Sequence, residues 1–350
     1  MIKLPAEMKA KDKGRPVVAV AMGDPAGISP ELTAALLSDR EIVSRAQLVV
    51  FGDRRVLAAG AAVAKVAPDV AFAASPDGPV PGDKPLFVDL GNLDPASIRT
   101  AEASLAGGTF SSDNFRRALC LAAASRADAV FFTPFNKAAM RMAYPGYDDE
   151  IRFVRDAIGS DAQASEFNIL GGLWNARVTS HISLKEVAAA ITPQRILEAL
   201  LLADACLREA GFDPPRIAVA ALNPHAGDGG NFGREEIEVI GPAVAAAEAQ
   251  GLGVQGPYPS DTVFLRAKNG DFDAVLTMYH DQGQIAMKLM GFDRGVTLIG
   301  GFPFPICTPA HGTAYEIAGK GIANTGASRA ALLLAIEMAE RRRATPRKAA

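Results

Sequence analysis

Three of the four histidines in this chain of 350 residues each follow a short apolar run of the kind that forms a buried strand. His181 is the last residue of the first run, 177–181. His225 follows the second run, 217–224, and His280 follows the third run, 274–279. Ligands of an open α/β sheet bind beyond the carboxyl ends of its strands. Three imidazoles there could hold a divalent metal and leave positions for water or substrate. Each histidine alone is equally compatible with a hydrogen-bonded loop residue, so the prediction of a metal site depends on the three strands ending together.

Carboxylates and lysines near such strand ends are candidates for proton transfer and anion binding. Asp281 directly follows His280, and Asp261 lies in a proline-rich turn. Either carboxylate could orient a metal-bound imidazole or act as a general base, and either could instead cap a helix. Lys288 comes two helical turns after Asp281, on the same helix face, where it could hold a substrate carboxylate or phosphate. Lys137 follows a further predicted strand and could bind an anion or transfer a proton.

A nucleotide could bind at the segment from His311 to Glu316, which reads HGTAYE. Gly312 and Thr313 open a predicted helix there, which leaves backbone N–H groups available to an anion or a nucleotide. The Glu316 carboxylate could accept hydrogen bonds from ribose hydroxyls, although a simple capped helix is the alternative. The glycine-rich loop 23–27 (GDPAG) matches neither the G-x-G-x-x-G fingerprint nor the P-loop.

The elements that must position these residues alternate between strands and helices. Apolar runs at 17–22, 47–51 and 128–132 predict buried strands, and 193–210 predicts an amphipathic helix ended by Gly211. This alternation predicts an α/β fold with a mostly parallel sheet.

Composition argues against several classes of function. The net charge is −3 and no long basic run occurs, so we expect no nucleic-acid partner. The three cysteines lack CxxC spacing and fit a reducing compartment. No apolar run is long enough to span a bilayer, and the Lys-rich stretch 1–15 is not a secretory signal. We therefore expect a cytoplasmic protein without a membrane partner.

Several motifs together resemble the 4-hydroxythreonine-4-phosphate dehydrogenase family, and they occur in the same order from about residue 17 to 325. The motifs that carry the resemblance are GDPAGISPE at 23–31, TPFNK at 133–137, NPHAG at 223–227, YPSDT at 258–262 and YHDQG at 279–283. The segment HGTAYEIAGKGIAN at 311–324 also resembles the adenosine-binding loop of the isocitrate and isopropylmalate dehydrogenases.

The resemblance implies the two-domain fold of the isocitrate and isopropylmalate dehydrogenases, with an active-site cleft between the domains. Residues 1–133 with 290–350 would form the first α/β domain, on the nucleotide side. Residues 134–289 would form the second, with the metal ligands and the dimer interface. The activity implied is oxidation of the secondary alcohol of a hydroxy-acid followed by loss of CO2, as in pyridoxine biosynthesis.

The resemblance also implies cofactors and site residues. NAD or NADP would bind with one divalent metal, for which zinc is the leading candidate and iron, cobalt, magnesium and manganese are alternatives. The metal would be shared across a homodimer interface. The implied residues are His181, His225 and His280 for the metal, Lys137, Asp261 and Asp281 for catalysis, Lys288 for the substrate, and His311, Gly312, Thr313, Glu316 and Asn324 for the nucleotide.

This chain departs from the family pattern at positions that contact the substrate. Tyr147 and Asp148 stand where the family has a histidine and a threonine that contact phosphate. Thr297 aligns with an asparagine contact and Ile306 with an arginine contact, and loss of the arginine removes a bidentate phosphate partner. A related enzyme, terephthalate dihydrodiol dehydrogenase, also lacks those contacts. We therefore expect a substrate without phosphate, of the cis-dihydrodiol carboxylate type.

Other functions stay open from the sequence alone. A genuine 4-hydroxythreonine-4-phosphate dehydrogenase of vitamin B6 biosynthesis is the first alternative. Among other classes, a metal-dependent lyase or hydrolase could use the same histidines without a nucleotide, and a ligand-binding relative could lack activity.

Overall fold

The computed structural model describes residues 14–77 and 82–344, so most of the Lys-rich N-terminal stretch lies outside the described residues. No helix in the described part is long and apolar enough to cross a membrane. The chain divides into two compact units, of which the second is Gln163–Gly301 and the first is formed by the residues on either side of it. Each unit combines strands and helices, which confirms the predicted α/β class.

The described strands of the first unit all pair in parallel. In chain order they are β1 (Val17–Ala21), β2 (Gln47–Gly52), β3 (Ala71–Ala73), β4 (Leu86–Asp89), β5 (Ala129–Phe132) and β12 (Ile306–Pro309). Across the sheet their order is β3-β4-β2-β1-β5-β12. β1 and β5 are buried along almost their whole length, as expected for parallel strands covered on both faces.

Helices of the first unit pack against these strands. They are α1 (Ser29–Leu37), α2 (Arg40–Arg45), α3 (Arg54–Ala64), α4 (Leu105–Ala123), α5 (Lys137–Ala143), α6 (Glu150–Ile158) and α12 (Gly326–Ala344). Phe115 of α4 contacts three other rings, with centroids 4.6 Å from Phe132, 5.1 Å from Phe135 and 5.4 Å from Phe153 of α6. Such rings contribute much of the buried area of a core. This aromatic cluster holds the residues up to Ala162 in the first unit, whereas the resemblance placed the domain boundary at 133/134.

The second unit contains a mixed set of strands. They are β6 (Ser165–Leu170), β7 (Leu173–Arg177), β8 (Ile217–Ala220), β9 (Val254–Tyr258), β10 (Ala274–Thr277) and β11 (Val296–Gly300). Across the sheet their order is β11-β6-β7-β10-β8-β9. β6 is antiparallel to β11 and β7, and the other pairs are parallel. Because β11 pairs with β6, residues 290–301 belong to this unit rather than to the first.

Helices of the second unit bury an apolar core against its strands. They are α7 (Leu184–Ala190), α8 (Pro193–Ala210), α9 (Gly241–Ala249), α10 (Ser260–Lys268) and α11 (His280–Gly291). The predicted helix at 193–210 is confirmed as α8, which Thr192 caps and Gly211 ends at φ 102°. Met287 of α11 joins Phe264 of α10 and Val275 of β10 in one buried cluster, which fixes both helices over the strands.

Candidate active site

The three histidines predicted to share a site follow three neighbouring strands of the second unit. β7, β10 and β8 lie side by side in parallel, and Leu276 of β10 is in register with residues of both neighbours. Parallel neighbours end at the same edge of a sheet. His181, His280 and His225 therefore follow the carboxyl ends of adjacent strands, as the sequence predicts.

Two of the three rings lie close together. The ring centroids of His181 and His280 are 5.9 Å apart. A Zn–N bond of about 2 Å allows two imidazoles on one ion to have centroids up to about 6 Å apart. Oδ1 of Asp281 lies 2.7 Å from Nδ1 of His280, a carboxylate–imidazole pairing that orients the ring and would leave Nε2 available to bind a metal. His181 and His280 thus fit a metal-binding pair.

His225 is held on a turn of unusual backbone conformation. The φ angles of 225–229 lie between 44° and 79°, the left-handed region that costs a non-glycine residue about 1–3 kcal/mol. Its ring contacts Phe232, with centroids 6.2 Å apart. Within residues 14–77 and 82–344 no group of three or more His, Cys, Asp or Glu side chains is arranged to hold a metal. The three-histidine metal site therefore stays a prediction.

A buried glutamate, Glu236, stabilises the His225 turn. Its Oε1 accepts hydrogen bonds from the backbone N–H groups of Leu222 (2.9 Å) and Asn223 (2.7 Å), and its Oε2 accepts one from Nδ2 of Asn223 (2.9 Å). Glu236 begins a short π-helical segment, a feature frequent at functional sites. Sequence reasoning missed Glu236, because an acid in a polar helical stretch resembles a solvated surface residue.

Two further side chains hydrogen-bond the strand ends to each other. Gln282 accepts a hydrogen bond from the Met278 N–H (2.7 Å) and donates one to the Ala221 carbonyl (2.7 Å), so it bridges the ends of β10 and β8. The Thr179 hydroxyl donates to the Met278 carbonyl (2.7 Å), which links β7 to β10. The glutamine of the YHDQG motif therefore positions the histidine-bearing segments.

The glycine of the same motif allows close packing of α11. A Cβ atom at Gly283 would lie 2.1 Å from Oδ1 of Asn175 on β7. Asn175 is buried and donates to the Val275 carbonyl (3.1 Å), so it cannot easily move away. Only glycine at this position lets the first turn of α11 approach the strands.

Of the remaining predicted residues of this unit, Asp261, Asp281 and Lys288 are exposed and Thr297 is half-buried. Asp261 is the second residue of α10, so it lies in the first turn of this helix rather than at its N-cap. Asp281 and Lys288 are both exposed on α11, as their spacing predicts for one helix face. Thr297 of β11 lies opposite Asn168 of β6, whose Nδ2 is 3.4 Å from the Thr297 hydroxyl.

In the first unit, the loops GDPAG and TPFNK hydrogen-bond to each other at the ends of β1 and β5. The Gly23 N–H donates to the Thr133 hydroxyl (2.8 Å) and the Asp24 N–H to the Pro134 carbonyl (2.9 Å). A Cβ at Gly23 would lie 2.2 Å from the Thr133 carbonyl oxygen, which explains the glycine. Lys137 is exposed at the first position of α5, so its ammonium group is accessible beside this pair of loops.

The GDPAG loop also contacts the predicted nucleotide segment. The Tyr315 hydroxyl donates to Oδ2 of the buried Asp24 (2.6 Å), and the Ile28 N–H donates to the Thr313 carbonyl (3.1 Å). Burial raises the pKa of the Asp24 carboxyl above its usual range, although the hydrogen bonds from Tyr315 and the Ala26 N–H oppose this. Sequence reasoning missed the Asp24–Tyr315 pair, which connects segments almost 300 residues apart.

The prediction that a helix opens directly after His311 is wrong. Only one 3₁₀ turn, Tyr315–Ile317, follows it, because Ala314 adopts a left-handed conformation. Nε2 of His311 is buried without a hydrogen-bond partner in the described part of the chain. A Cβ at Gly312 would meet open space, and Glu316 is exposed. These groups could contact a nucleotide through a loop rather than through a helix N-terminus.

Asn324 already has a structural role. Its Oδ1 accepts a hydrogen bond of 2.7 Å from the Gly326 N–H at the start of α12. Its side-chain NH2 group is the part that could reach a ligand.

Two of the predicted substrate positions in the first unit are buried. Ile306 is 0% exposed in β12, and Tyr147 is 1% exposed, with its ring 6.3 Å from that of Phe153. The Asp148 carboxylate is exposed and pairs with the Arg152 guanidinium at 2.7 Å. An unpaired aspartate there would repel a dianion, but this ion pair offsets the charge of Asp148.

These features define a class of protein. Parallel strands whose carboxyl ends carry imidazoles, amides and carboxylates are typical of α/β enzymes that bind ligands at that edge of the sheet. The model of the pyridoxal phosphate biosynthetic protein PdxA family matches residues 44–335. The chain belongs to this family, and the resemblance to 4-hydroxythreonine-4-phosphate dehydrogenases is confirmed. The family consists of dehydrogenases that act on CH–OH groups, which supports classification of the chain as an oxidoreductase.

Individual relatives agree with this assignment. The chain is 60% identical over 331 residues to "Putative 4-hydroxythreonine-4-phosphate dehydrogenase 2" of Rhizobium meliloti (strain 1021), covering 94% of this chain and 95% of the relative. The crystal structure of 4-hydroxythreonine-4-phosphate dehydrogenase from Klebsiella pneumoniae is similar with a TM-score of 0.80 at 34% identity, covering 93% of this chain and 99% of that one. A terephthalate 1,2-cis-dihydrodiol dehydrogenase from Burkholderia xenovorans LB400 is similar with a TM-score of 0.64 at 28% identity, covering 92% and 98%.

Proposed function

We propose that the protein is a cytoplasmic dehydrogenase that uses a divalent metal and NAD(P) to oxidise the secondary alcohol of a hydroxy-acid, with subsequent decarboxylation. The observation that carries this proposal is the placement of His181, His225 and His280 after three adjacent parallel strands. When bound, the metal would supply Lewis acidity at the alcohol oxygen and the nicotinamide would accept the hydride. Zinc is the first candidate, because imidazole ligands suit it well.

The chain's own residues have distinct parts in this proposal. Asp281 fixes the tautomer and the orientation of His280 through their 2.7 Å contact. Asp261 and Lys137, both exposed, are the proposed groups for proton transfer. Lys288 and Thr297 are the proposed contacts for the acid group of the substrate.

A homodimer would complete the metal site. Within the described residues, His181 and His280 lie together but no third His, Cys, Asp or Glu side chain completes a metal-binding group with them. Four large apolar side chains are exposed in the segments that follow His181 and His280, and a partner subunit would remove them from water. They are Ile182 (42% exposed), Leu184 (70%), Ile285 (60%) and Leu289 (84%). We propose that a second copy of the chain covers this surface.

The proposed nucleotide site lies in the first unit. Nε2 of His311, the backbone at Gly312 and Thr313, the Glu316 carboxylate and the NH2 group of Asn324 are its contacts. The 2′-phosphate of NADP would meet the negative charge of Glu316, so NAD is the preferred cofactor.

For the substrate, we propose a hydroxy-acid without phosphate, of the cis-dihydrodiol carboxylate type. Ile306 offers no cation where the family pattern has an arginine, and Arg152 is already paired with Asp148. The second candidate is a phosphorylated hydroxy-acid, which is favoured by the name of the relative that is 60% identical.

A substrate screen tests the proposal. Purified protein would be incubated with zinc, NAD or NADP, and either 4-hydroxythreonine 4-phosphate or a cis-dihydrodiol carboxylate, and the absorbance of the reduced cofactor would be followed. We expect turnover of the unphosphorylated acid. A kcat/KM above about 10⁴ M⁻¹s⁻¹ for the phosphorylated substrate would instead select the second candidate. If titration shows no binding of either nucleotide, the protein would belong to a non-redox class such as a metal-dependent lyase or hydrolase.

A further inference from the structure

The second unit contains a buried guanidinium that no motif or proposed contact uses. Arg177, the last residue of β7, has a side chain that is 2% exposed. Its Nη2 donates to Oδ1 of Asn168 at 2.7 Å. Its Nη1 is buried and finds no hydrogen-bond partner in the described part of the chain. A buried arginine is ordinarily fully paired, so Arg177 carries a positive charge that its surroundings compensate only in part.

The carboxylate beside Arg177 compensates part of this charge. Oε2 of Glu166 lies 3.5 Å from Nη2, and the Glu166 side chain is 18% exposed. That distance is at the limit of a hydrogen bond. Burial lowers the pKa of the Arg177 guanidinium and Glu166 opposes this shift, but a guanidinium stays protonated in proteins.

The hydrogen bonds of Asn168 determine which way its amide faces. Its Oδ1 accepts from Nη2 of Arg177 and also from Nε2 of Gln284 on α11, at 2.8 Å. A guanidinium has donors only, so the oxygen of Asn168 must face Arg177 and its NH2 group must face Thr297. The NH2 group lies 3.4 Å from the Thr297 hydroxyl oxygen. With one lone pair of that oxygen engaged, Thr297 can direct its own O–H to a ligand.

The same network reaches the second proposed contact for the acid group. Gln284 and Lys288 are four residues apart on α11, which places them on one face of the helix. A negative group held against Thr297 would be attracted by the Arg177 charge, and burial of the guanidinium weakens solvent screening of that attraction.

We propose that Arg177 is a specificity-determining positioning residue, which acts through Asn168 to orient the Thr297 hydroxyl and supplies a buried positive charge that favours an anionic substrate. This inference rests on the proposed function only in taking Thr297 as a contact of the acid group. It assigns a role to Arg177, Asn168 and Glu166.

Binding of small anions to the full-length protein tests the proposal without requiring turnover. Inorganic phosphate and malonate are the probes, and isothermal titration calorimetry gives their dissociation constants in the absence of nucleotide. We expect Arg177→Met to weaken binding of the better probe by about tenfold or more, because the buried charge is lost. We expect Glu166→Gln to tighten it by about threefold, because the opposing charge is removed. Arg195→Met, which removes an exposed arginine of α8 in the same unit, should leave both constants unchanged.

The opposite changes in anion affinity expected for Arg177→Met and Glu166→Gln distinguish this role from a merely structural one. If Arg177 served only to stabilise the fold, both Arg177→Met and Glu166→Gln would weaken binding or leave it unchanged, and the proposal would be overturned. In a Thr297→Val background, Arg177→Met should have a much smaller effect than in the wild type, since both changes interrupt one network. A full effect in that background, or a wild type that binds neither anion, would also overturn it.

Failure of the proposed function gives a different result. A protein that oxidises no hydroxy-acid could still show the expected pattern of anion affinities, and a working dehydrogenase could lack it. Which probe binds better also distinguishes a phosphate-binding from a carboxylate-binding site.

Discussion

The hydroxyl of Tyr315 donates a hydrogen bond of 2.6 Å to Oδ2 of Asp24, a carboxylate that is 1% exposed. The bond joins the GDPAG loop, at the end of the central strand β1, to the proposed nucleotide segment. Because the carboxylate is buried, loss of this donor leaves it, among the described residues, with the Ala26 N–H as the hydrogen-bond partner of Oδ1. The pair therefore determines how firmly the proposed nucleotide segment is held.

We predict that Tyr315→Phe lowers the free energy of unfolding by about 1–3 kcal/mol, the usual cost of leaving a buried polar group without its partner. Urea unfolding followed by circular dichroism measures this change. Tyr144→Phe is the matched control, since the Tyr144 hydroxyl donates to the exposed Asp156 carboxylate, which water can solvate instead. Equal losses in the two variants would show that burial of Asp24 is not decisive.

The Asp24 carboxyl should also make stability depend on pH. Burial raises its pKa, so the folded protein binds this proton more tightly than the unfolded chain does. Its contribution to stability is therefore fully present below the unfolded value of about 3.9 and is lost as the pH rises through the folded value. Asp24→Asn lacks this group, so the variant should gain stability relative to the wild type as the pH rises through that window. A difference that is independent of pH would contradict the raised pKa.

The close packing of α11 on β7 leads us to predict that a side chain at Gly283 strongly lowers stability. Gly283→Ala should lower the free energy of unfolding by about 1–3 kcal/mol, because its Cβ would overlap Oδ1 of Asn175. Gly172→Ala, where a Cβ meets nothing within 4 Å, should change it little. Partial recovery in the double variant Gly283→Ala/Asn175→Ala would identify the overlap as the cause. No loss in the single variant would show that α11 can move outward without cost.

Because Glu236 holds the His225 turn, we predict that changing it weakens zinc binding. In Glu236→Gln one acceptor oxygen becomes an NH2 group, which must face either the N–H groups of Leu222 and Asn223 or the Asn223 amide. We expect about tenfold weaker zinc binding, the lower end of losses measured when groups that orient metal ligands are changed. Equilibrium dialysis measures this affinity, and Glu238→Gln on the exposed side of the same segment is the control. Unchanged zinc affinity in Glu236→Gln would show that zinc binding does not depend on the conformation of the His225 turn.

The preference between the two nucleotides should depend on Glu316. Removal of its charge in Glu316→Gln should tighten NADP binding by about fivefold and change NAD binding little. Fluorescence titration of the reduced nucleotides gives both dissociation constants, with the exposed Glu102→Gln of the same unit as the control. A constant ratio of the two affinities would place the ribose away from Glu316.

The sequence predicts those features of the fold and site that depend on short stretches of chain. The apolar runs before His181, His225 and His280 are local patterns, and their strands do end side by side. The spacing of Asp281 and Lys288 likewise follows from helix geometry. The strands themselves and the shared helix face need no knowledge of distant contacts, whereas the adjacency of the three strands does.

The sequence does not predict features that depend on contacts between distant residues. Residues 134–162 belong to the first unit because Phe135 and Phe153 pack on Phe115, and no local pattern reports those ring contacts. The helix expected after His311 fails because Ala314 adopts a left-handed φ of 45°, a conformation that alanine rarely takes.

The burial of particular charged side chains is the other feature that cannot be predicted from the sequence. Glu236, Asp24 and Arg177 look like ordinary charged residues in the sequence, yet each is at most 5% exposed. A charged residue among polar neighbours more often lies at the surface, so these three could be recognised only from the structure.

The central claim is that three histidines from adjacent strands bind one metal, and zinc content measures it most directly. Dialysed wild-type protein should retain about one zinc per chain, as expected for one site with imidazole ligands. His181→Ala, His225→Ala and His280→Ala should each lose most of this zinc together with dehydrogenase activity. His311→Ala, which changes the fourth histidine, should keep the zinc. Full retention of zinc in the three single variants would contradict the claim.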